Sequence, residues 1–365
     1  MRTKKELQAM KGLYKVLSKK RLSIDFGSHQ IKMVVGKQKK DQVIVEEVFR
    51  IPIPLKSYEN GKILEFESLY QTIKEAVEEH KIDVKSVILG IQSSEFIYRE
   101  IILPVSKAKE LNKMIQVEIR QNLPIDINQY IVQGRVIERI EEDDSPKYRV
   151  LVGIVPKDYL TPYFQLIERF NWKPIAIDLH PNAISKVIEY SKTINEKSMI
   201  HNKTIAMIDI GFSSIEVIIF ENGVLKFNRL LSLGSQTIDV NIANTFNLTL
   251  IEGERKKIDS QNYFQDKEPS SSLSLLQTTI EGTFDSWLEE IQKVFRYYTS
   301  RSFHRMIDAI YIYGGSASME KLCSYFQENY NIPVEKIKTL DSIQWKNSSE
   351  NLHHYLNAIA AFIRK

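Results

Sequence analysis

The chain has one cysteine, Cys323. That excludes a disulfide framework and any cysteine-rich zinc or iron–sulfur site, and it fits a reducing compartment. No apolar run nears the ~20 residues of a membrane span. The first 21 residues lack the apolar core and small-residue cleavage site of a secretory signal. Neither a G-x-x-x-x-G-K-[ST] loop nor a G-x-G-x-x-G fingerprint is present. No Ser-His-Asp or Cys-His arrangement points to a hydrolase, and His304, His353, His354 and Cys323 show no metal-ligand spacing. Charge of one sign is also scarce: 50 Lys+Arg stand against 46 Asp+Glu, too mild an excess to argue for nucleic acid. What remains is a 365-residue chain, 43% hydrophobic and 26% charged, expected to form two or three cytoplasmic domains.

The mild average hides an asymmetry. Residues 1–21 hold eight basic side chains and one acid, a net +7 that leaves the rest at −3. Within them Leu7, Met10, Leu13, Tyr14 and Leu17 share one helical face, and Lys4, Lys5, Lys11, Lys15 and Lys19 share the other. Two readings stand: residues 1–20 lie on an anionic membrane surface, or they form a solvated helix packed on the body or on a partner.

The body contains a repeat. IDFGSHQIKMVV (24–35) and IDIGFSSIEVII (208–219) agree at Ile24/Ile208, Asp25/Asp209, Gly27/Gly211 and Ile31/Ile215. Each reads as a strand, a tight glycine turn and a second strand. Glycine lets phosphate approach the backbone N–H groups, and the aspartate is a hard oxygen ligand for phosphate-bound Mg²⁺, direct or through water. D-x-G alone is common in turns; two copies in matching contexts favour a polyphosphate clamp over unrelated hairpins. Gly234-Ser235 precedes a helical stretch, an arrangement that attracts anions. Glu254 and Lys257 are spaced i, i+3, either as a surface ion pair or as a ribose-and-base contact. AIYIYGGSASMEKL (309–322) reads as a buried strand, Gly314-Gly315 and a helix.

This ordered set resembles the actin-like ATPase superfamily. The resemblance implies an α/β, actin-like two-domain fold around an ATP/ADP and Mg²⁺ site. It puts Asp25, Gly27, Ser28 and His29 on the first phosphate loop, and Asp209, Gly211, Phe212, Ser213 and Ser214 on the second. Gly234 and Ser235 fall on the next phosphate/ribose turn, Glu254 and Lys257 on the adenosine-side E-x-x-K, and Gly314, Gly315 and Ser316 on the adenosine motif. Lys32 falls where actin-type members carry a phosphate-contacting lysine, and Asp25 and Asp209 reach the metal through water.

The insertion selects the branch. Residues 84–170 read as strand–strand–helix–strand–strand–helix, a small α+β subdomain, with helix 107–126 striped by Leu111, Ile115 and Ile119. With REIILP (99–104), EIRQNLP (118–124) and WKPIAIDLHPNA (172–183), the chain is similar to the PilM family of type IV pilus assembly, a sibling of FtsA. The expected order is a basic segment (1–21), a first actin-like domain in two parts (22–83 and 171–203) around the insertion, a second domain (204–352), and a C-terminal helix (353–365) on the first. The resemblance implies a cytoplasmic platform protein, peripheral at the inner face of the membrane. It binds nucleotide and grips the N-terminal tail of a PilN-like membrane protein between the first domain and the insertion. The alternative is an FtsA-like polymerising ATPase; a sugar or acid kinase lacks an acceptor site built for it. His29 and Gln30 replace small hydroxyl residues, Ser235 a common glycine, and His180 a usual glutamate. These departures imply slow hydrolysis at most. His180, ahead of Pro181, reads as a loop residue.

Overall fold

The computed structural model describes residues 19–198, 202–260, 271–300, 306–345 and 349–364. The basic helix read over 1–20 lies almost wholly outside them. The chain divides into two compact units. The first comprises the described residues of Met1–Tyr190, Gln344–Asn347 and Asn357–Lys365; the second comprises those of Ser191–Ile343 and Ser348–Leu356.

The first unit runs β1 (Arg21–Phe26), β2 (Gln30–Lys39), β3 (Gln42–Pro52), β4 (Tyr58–Glu59), β5 (Lys62–Ile63), α1 (Phe66–Glu79), β6 (Ser86–Ile91), β7 (Ile97–Pro104), α2 (Ala108–Asn122), β8 (Tyr130–Glu142), β9 (Ser145–Pro156), α3 (Lys157–Arg169), β10 (Lys173–Leu179) and α4 (His180–Tyr190). In the second, β11 (Thr204–Ile210), β12 (Ile215–Glu221) and β13 (Val224–Leu231) precede helices α5 (Gln236–Phe246), α6 (Leu250–Ser260) and α7 (Ser271–Thr299). Then come β14 (Ala309–Tyr313), α8 (Leu322–Tyr330) and β15 (Val334–Lys336). Strand β16 (Ile343–Trp345) and helix α9 (Leu356–Ala360) close the described chain.

One strand order occurs twice. The main sheet of the first unit is β10-β6-β1-β2-β3-β16, and that of the second is β13-β12-β11-β14-β15. Read from β3 and from β13, both give a two-hairpin meander followed by two strands parallel to the first hairpin strand. The sequence repeat in the first hairpin is therefore the visible part of a five-strand structural repeat. Strands β1, β6, β11 and β14 are nearly wholly buried, as central parallel strands covered on both faces must be. Helix α7 supplies Trp287, Ile291, Val294, Phe295 and Tyr298 to the core of the second unit, so this face of the helix is packing.

The insertion is smaller than the sequence suggests. Only β7, β9 and β8 form a separate three-stranded sheet, backed by Leu111, Ile115 and Ile119 of α2 in a core of its own. β6 instead lies between β10 and β1 in the main sheet, and Tyr159, Leu160, Tyr163, Leu166 and Ile167 of α3 fill the main core. The expected 84–170 span thus differs from the module at both ends. The physical reason is that SVILGI is buried on both faces while β7 exposes Arg99, Glu100, Ile102 and Pro104 to solvent.

Four other expectations change. Residues 191–198 group with the second unit rather than the first, because Asn195 Oδ1 accepts from Lys338 N at 2.7 Å and Thr339 N at 3.2 Å, and Asp341 Oδ1 from Lys192 N at 2.8 Å. The polar stretch 259–274, whose Pro and Ser content reads as an exposed loop, is helical where described, ending α6 and opening α7. After Gly314 a 3₁₀ turn, Gly315–Ser318, precedes α8. Toward the C-terminus a 3₁₀ turn (Leu352–His354) and the short α9 replace one helix over 353–365.

Candidate functional site

In the first unit the β1–β2 turn closes through Gly27 N donating to Gln30 O at 3.2 Å. A Cβ on Gly27 would stand 2.9 Å from that same carbonyl, which is why the turn takes glycine. Asp25 lies opposite Lys32 across the hairpin, and Lys32 Nζ is 3.6 Å from Asp25 Oδ2. The other oxygen, Oδ1, lies 2.8 Å from His180 Nε2. His180 is therefore no loop residue: it opens α4, is 3% exposed and holds the aspartate. Burial works to raise the Asp25 carboxyl, but the positive charges of His180 and then Lys32 outweigh it and hold it below the usual carboxylate range.

The second unit repeats the turn. Gly211 N donates to Ser214 O at 2.9 Å, and a Cβ on Gly211 would meet that carbonyl at 2.9 Å. Around it, Ser235 N donates to Gly211 O at 3.1 Å, Gln236 N to Phe212 O at 2.9 Å, and Ser316 Oγ to Gly211 O at 3.2 Å. The structure thus gathers Asp209, Gly211, Phe212, Gly234, Ser235, Gly314 and Ser316. Gly314 packs on Asp209, its absent Cβ falling 2.0 Å from Oδ1. Where the first hairpin sets Lys32 opposite Asp25, the second sets Glu216 opposite Asp209, so the cross-strand partner changes sign. Glu254 and Lys257 share α6 as expected, but Lys257 Nζ sits 2.6 Å from Asp239 Oδ1 on α5.

A groove of about 430 Å³ opens within the first unit. Its walls are β10, an outer strand of the main sheet, and β8, an outer strand of the module sheet. Ile131, Leu151, Val155, Leu160, Ile175 and Ile177 make it apolar, and Phe164 stands on its rim, 43% exposed. Its polar end is a network. Asn182 Oδ1 accepts from Arg135 Nε at 2.7 Å, and Asn182 Nδ2 donates to Asp178 Oδ1 at 2.6 Å. Lys186 Nζ lies 2.5 Å and Arg364 Nη1 3.0 Å from Asp178 Oδ2. Burial pushes the Asp178 carboxyl up, but Lys186 and Arg364 outweigh it and leave it lowered. Sequence reasoning missed Arg135, Asp178, Asn182 and Lys186; only the IDLHPNA string marked the region.

Native Asp25 and Asp178 therefore hold protons less tightly than the same groups in the unfolded chain. As pH falls below their ordinary value of about 4, the unfolded state binds more protons and stability drops. The urea midpoint is expected to be flat for these groups above pH 5 and to fall steadily below pH 4, with a shallower fall in Asp25→Asn.

A family model described as type IV pilus assembly protein PilM matches residues 23–362. The chain belongs to the PilM family. Among solved structures, this PilM-family chain is similar to the PilM–PilN type IV pilus biogenesis complex, with TM-score 0.78 and 16% identity over 94% of this chain and 97% of that one. It is also similar to the ethanolamine utilization protein EutJ from Carboxydothermus hydrogenoformans, at TM-score 0.57 and 10% identity over 98% of each chain. MreB5 of Spiroplasma citri bound to ADP gives TM-score 0.51 and 10% identity over 94% of each. The PilM-family chain thus has the actin-like ATPase fold. The cell division protein FtsA of Bacillus subtilis (strain 168) is 24% identical over 290 residues, 72% of this chain and 62% of FtsA; the chain spans about three-fifths of that relative's length. Among the described residues no helix is long and apolar enough to cross a membrane.

Proposed function

We propose that this chain is a nucleotide-binding scaffold of a type IV pilus inner-membrane platform, and that its groove grips the cytoplasmic N-terminal tail of a PilN-like protein. The observation that carries the reading is the apolar groove between two outer strands. Outer strands offer main-chain pairing to an extended peptide, and alternate side chains then enter apolar pockets. Phe164 on the rim suits an aromatic anchor.

The two glycine turns suit nucleotide phosphates for the reason that also fixes their sequence: nothing larger than hydrogen fits at Gly27 and Gly211. The donor chemistry of the second turn fits a hard cation, with Asp209 and Glu216 carrying carboxylates in cross-strand register. These two would hold Mg²⁺, which supplies charge neutralisation for the phosphates. Asp25 already has His180 and Lys32 on its two oxygens, so its carboxylate is engaged within the first unit. Ser28 and His29 belong to the first turn and Ser213 and Ser214 to the second, each suited to phosphate within its own unit; Glu254 and Gly315 of the second unit suit adenosine. Turnover is far below the typical ~10 s⁻¹ of enzymes. Attachment at the inner face of the membrane comes through the tail and through residues 1–20.

Calorimetry with a synthetic PilN-like N-terminal tail tests the reading. Micromolar binding is expected, weakened at least tenfold by Phe164→Glu at unchanged thermal stability. Absence of binding, or binding indifferent to Phe164→Glu, sinks it.

A further inference from the structure

The groove and the Asp25 turn share one helix. His180, the first residue of α4, holds Asp25 Oδ1 at 2.8 Å. Two residues on, Asn182 stands in the groove wall with one hand on each side of it. Its carbonyl oxygen takes Arg135 Nε of β8 at 2.7 Å, and its amide donates to Asp178 of β10 at 2.6 Å. Farther along the same helix Ser185 accepts from Arg135, and Glu189 Oε2 lies 3.3 Å from Arg135 Nη1. Lys186 reaches Asp178 and, at 2.7 Å, the carbonyl of Ile363. Ala183, Ile184, Val187 and Ile188 are fully packed.

The module and the main sheet have separate cores, so they are the two bodies that a groove occupant can move against each other. Arg135 lies on β8 of the module. Asn182 and Asp178 belong to the main body. Close-packed elements shift as units rather than deform, so displacing Arg135 bears on the first turn of α4, and His180 sits in that turn.

We propose that α4 couples occupancy of the groove to nucleotide affinity at the Asp25 turn, with Asn182 as the positioning residue. The inference rests on the groove and nucleotide readings above and adds their regulation. Linkage makes the coupling reciprocal: the factor by which an occupant changes nucleotide affinity equals the factor by which nucleotide changes the occupant's affinity.

The experiment uses the full chain, a fluorescent ADP analogue and the synthetic PilN-like tail. The ADP analogue is titrated with and without saturating peptide, and the peptide with and without saturating ADP. A change of at least about fivefold, equal in both directions, is expected. Asn182→Ala and Arg135→Lys each bring the factor toward one, and thermal melts report whether either variant has lost its fold. Hydrogen exchange supplies a readout independent of nucleotide: peptide alone is expected to alter exchange both at 180–190 and across the turn at 23–30. Peptide that binds while leaving ADP affinity and exchange at 23–30 unchanged overturns the coupling but spares the groove. Peptide that gives no binding heat by itself overturns the groove reading and the coupling with it.

Discussion

Gly314→Ala is expected to destabilise the second unit by about 2–6 kcal/mol, combining backbone strain of about 1–3 with steric overpacking of about 1–3. Gly314 follows the buried strand β14 with φ +96° and ψ 178°, a region open essentially to glycine alone. Its Cβ would stand 2.0 Å from Asp209 Oδ1 and 2.8 Å from Ile210 O. Relief by withdrawal is opposed because Gly314 N donates to His353 O at 2.9 Å. The adjacent residue is the control: a Cβ on Gly315 meets nothing within 4 Å, so Gly315→Ala should stay within about 0.5 kcal/mol. Urea denaturation of the two variants checks this. Equal midpoints would show that the close approach to Asp209 is not a constraint. Because the clash falls on Asp209 itself, folded Gly314→Ala protein is also expected to lose ADP affinity.

Asp178→Ala has the second large expected effect. Asp178 is 3% exposed and faces two cations, Lys186 and Arg364. Removing one partner of a buried ion pair costs about 3–5 kcal/mol, because the remaining charge is left without compensation. Lys186 has a partial escape. Burial already lowers its ammonium to about 8, against the pull of Asp178, so without the aspartate it sheds its proton at lower pH. Asp178→Ala/Lys186→Met should therefore recover most of the loss. The double-mutant cycle distinguishes charge from packing: no recovery would mean that Asp178 matters for its shape and its bond to Asn182.

The sequence carried the repeat because the repeat is local. Asp25, Gly27, Asp209 and Gly211 sit in hairpins whose turn chemistry depends on neighbours two or three residues away. The larger five-strand repeat was hidden, because SVILGI of β6 and AIYIY of β14 share only a buried apolar character. That character is a usable signal: a run apolar on both faces belongs inside a parallel sheet, and β7, with the adjacent charges Arg99 and Glu100 exposed, does not. The role of His180 is not legible locally because its partner Asp25 lies 155 residues away, and nothing in IDLHP reveals a buried carboxylate. The helical spacing of Glu254 and Lys257 is legible locally, but the tie of Lys257 to Asp239 comes from α6 packing on α5. Long-range polar pairs are the part of a site that a single sequence encodes least openly.

A tail of a PilN-like membrane protein held in the groove beside Phe164 would lie within reach of a crosslinker placed there. Site-specific photo-crosslinking in the native host tests this placement most directly. Benzoylphenylalanine in place of Phe164 keeps an aromatic side chain on the rim, and the same group at Leu55, 92% exposed and not among the residues lining the groove, serves as control. A light-dependent adduct with the PilN-like protein is expected from position 164 and none from position 55. No adduct from 164, or equal adducts from both positions, would contradict that placement.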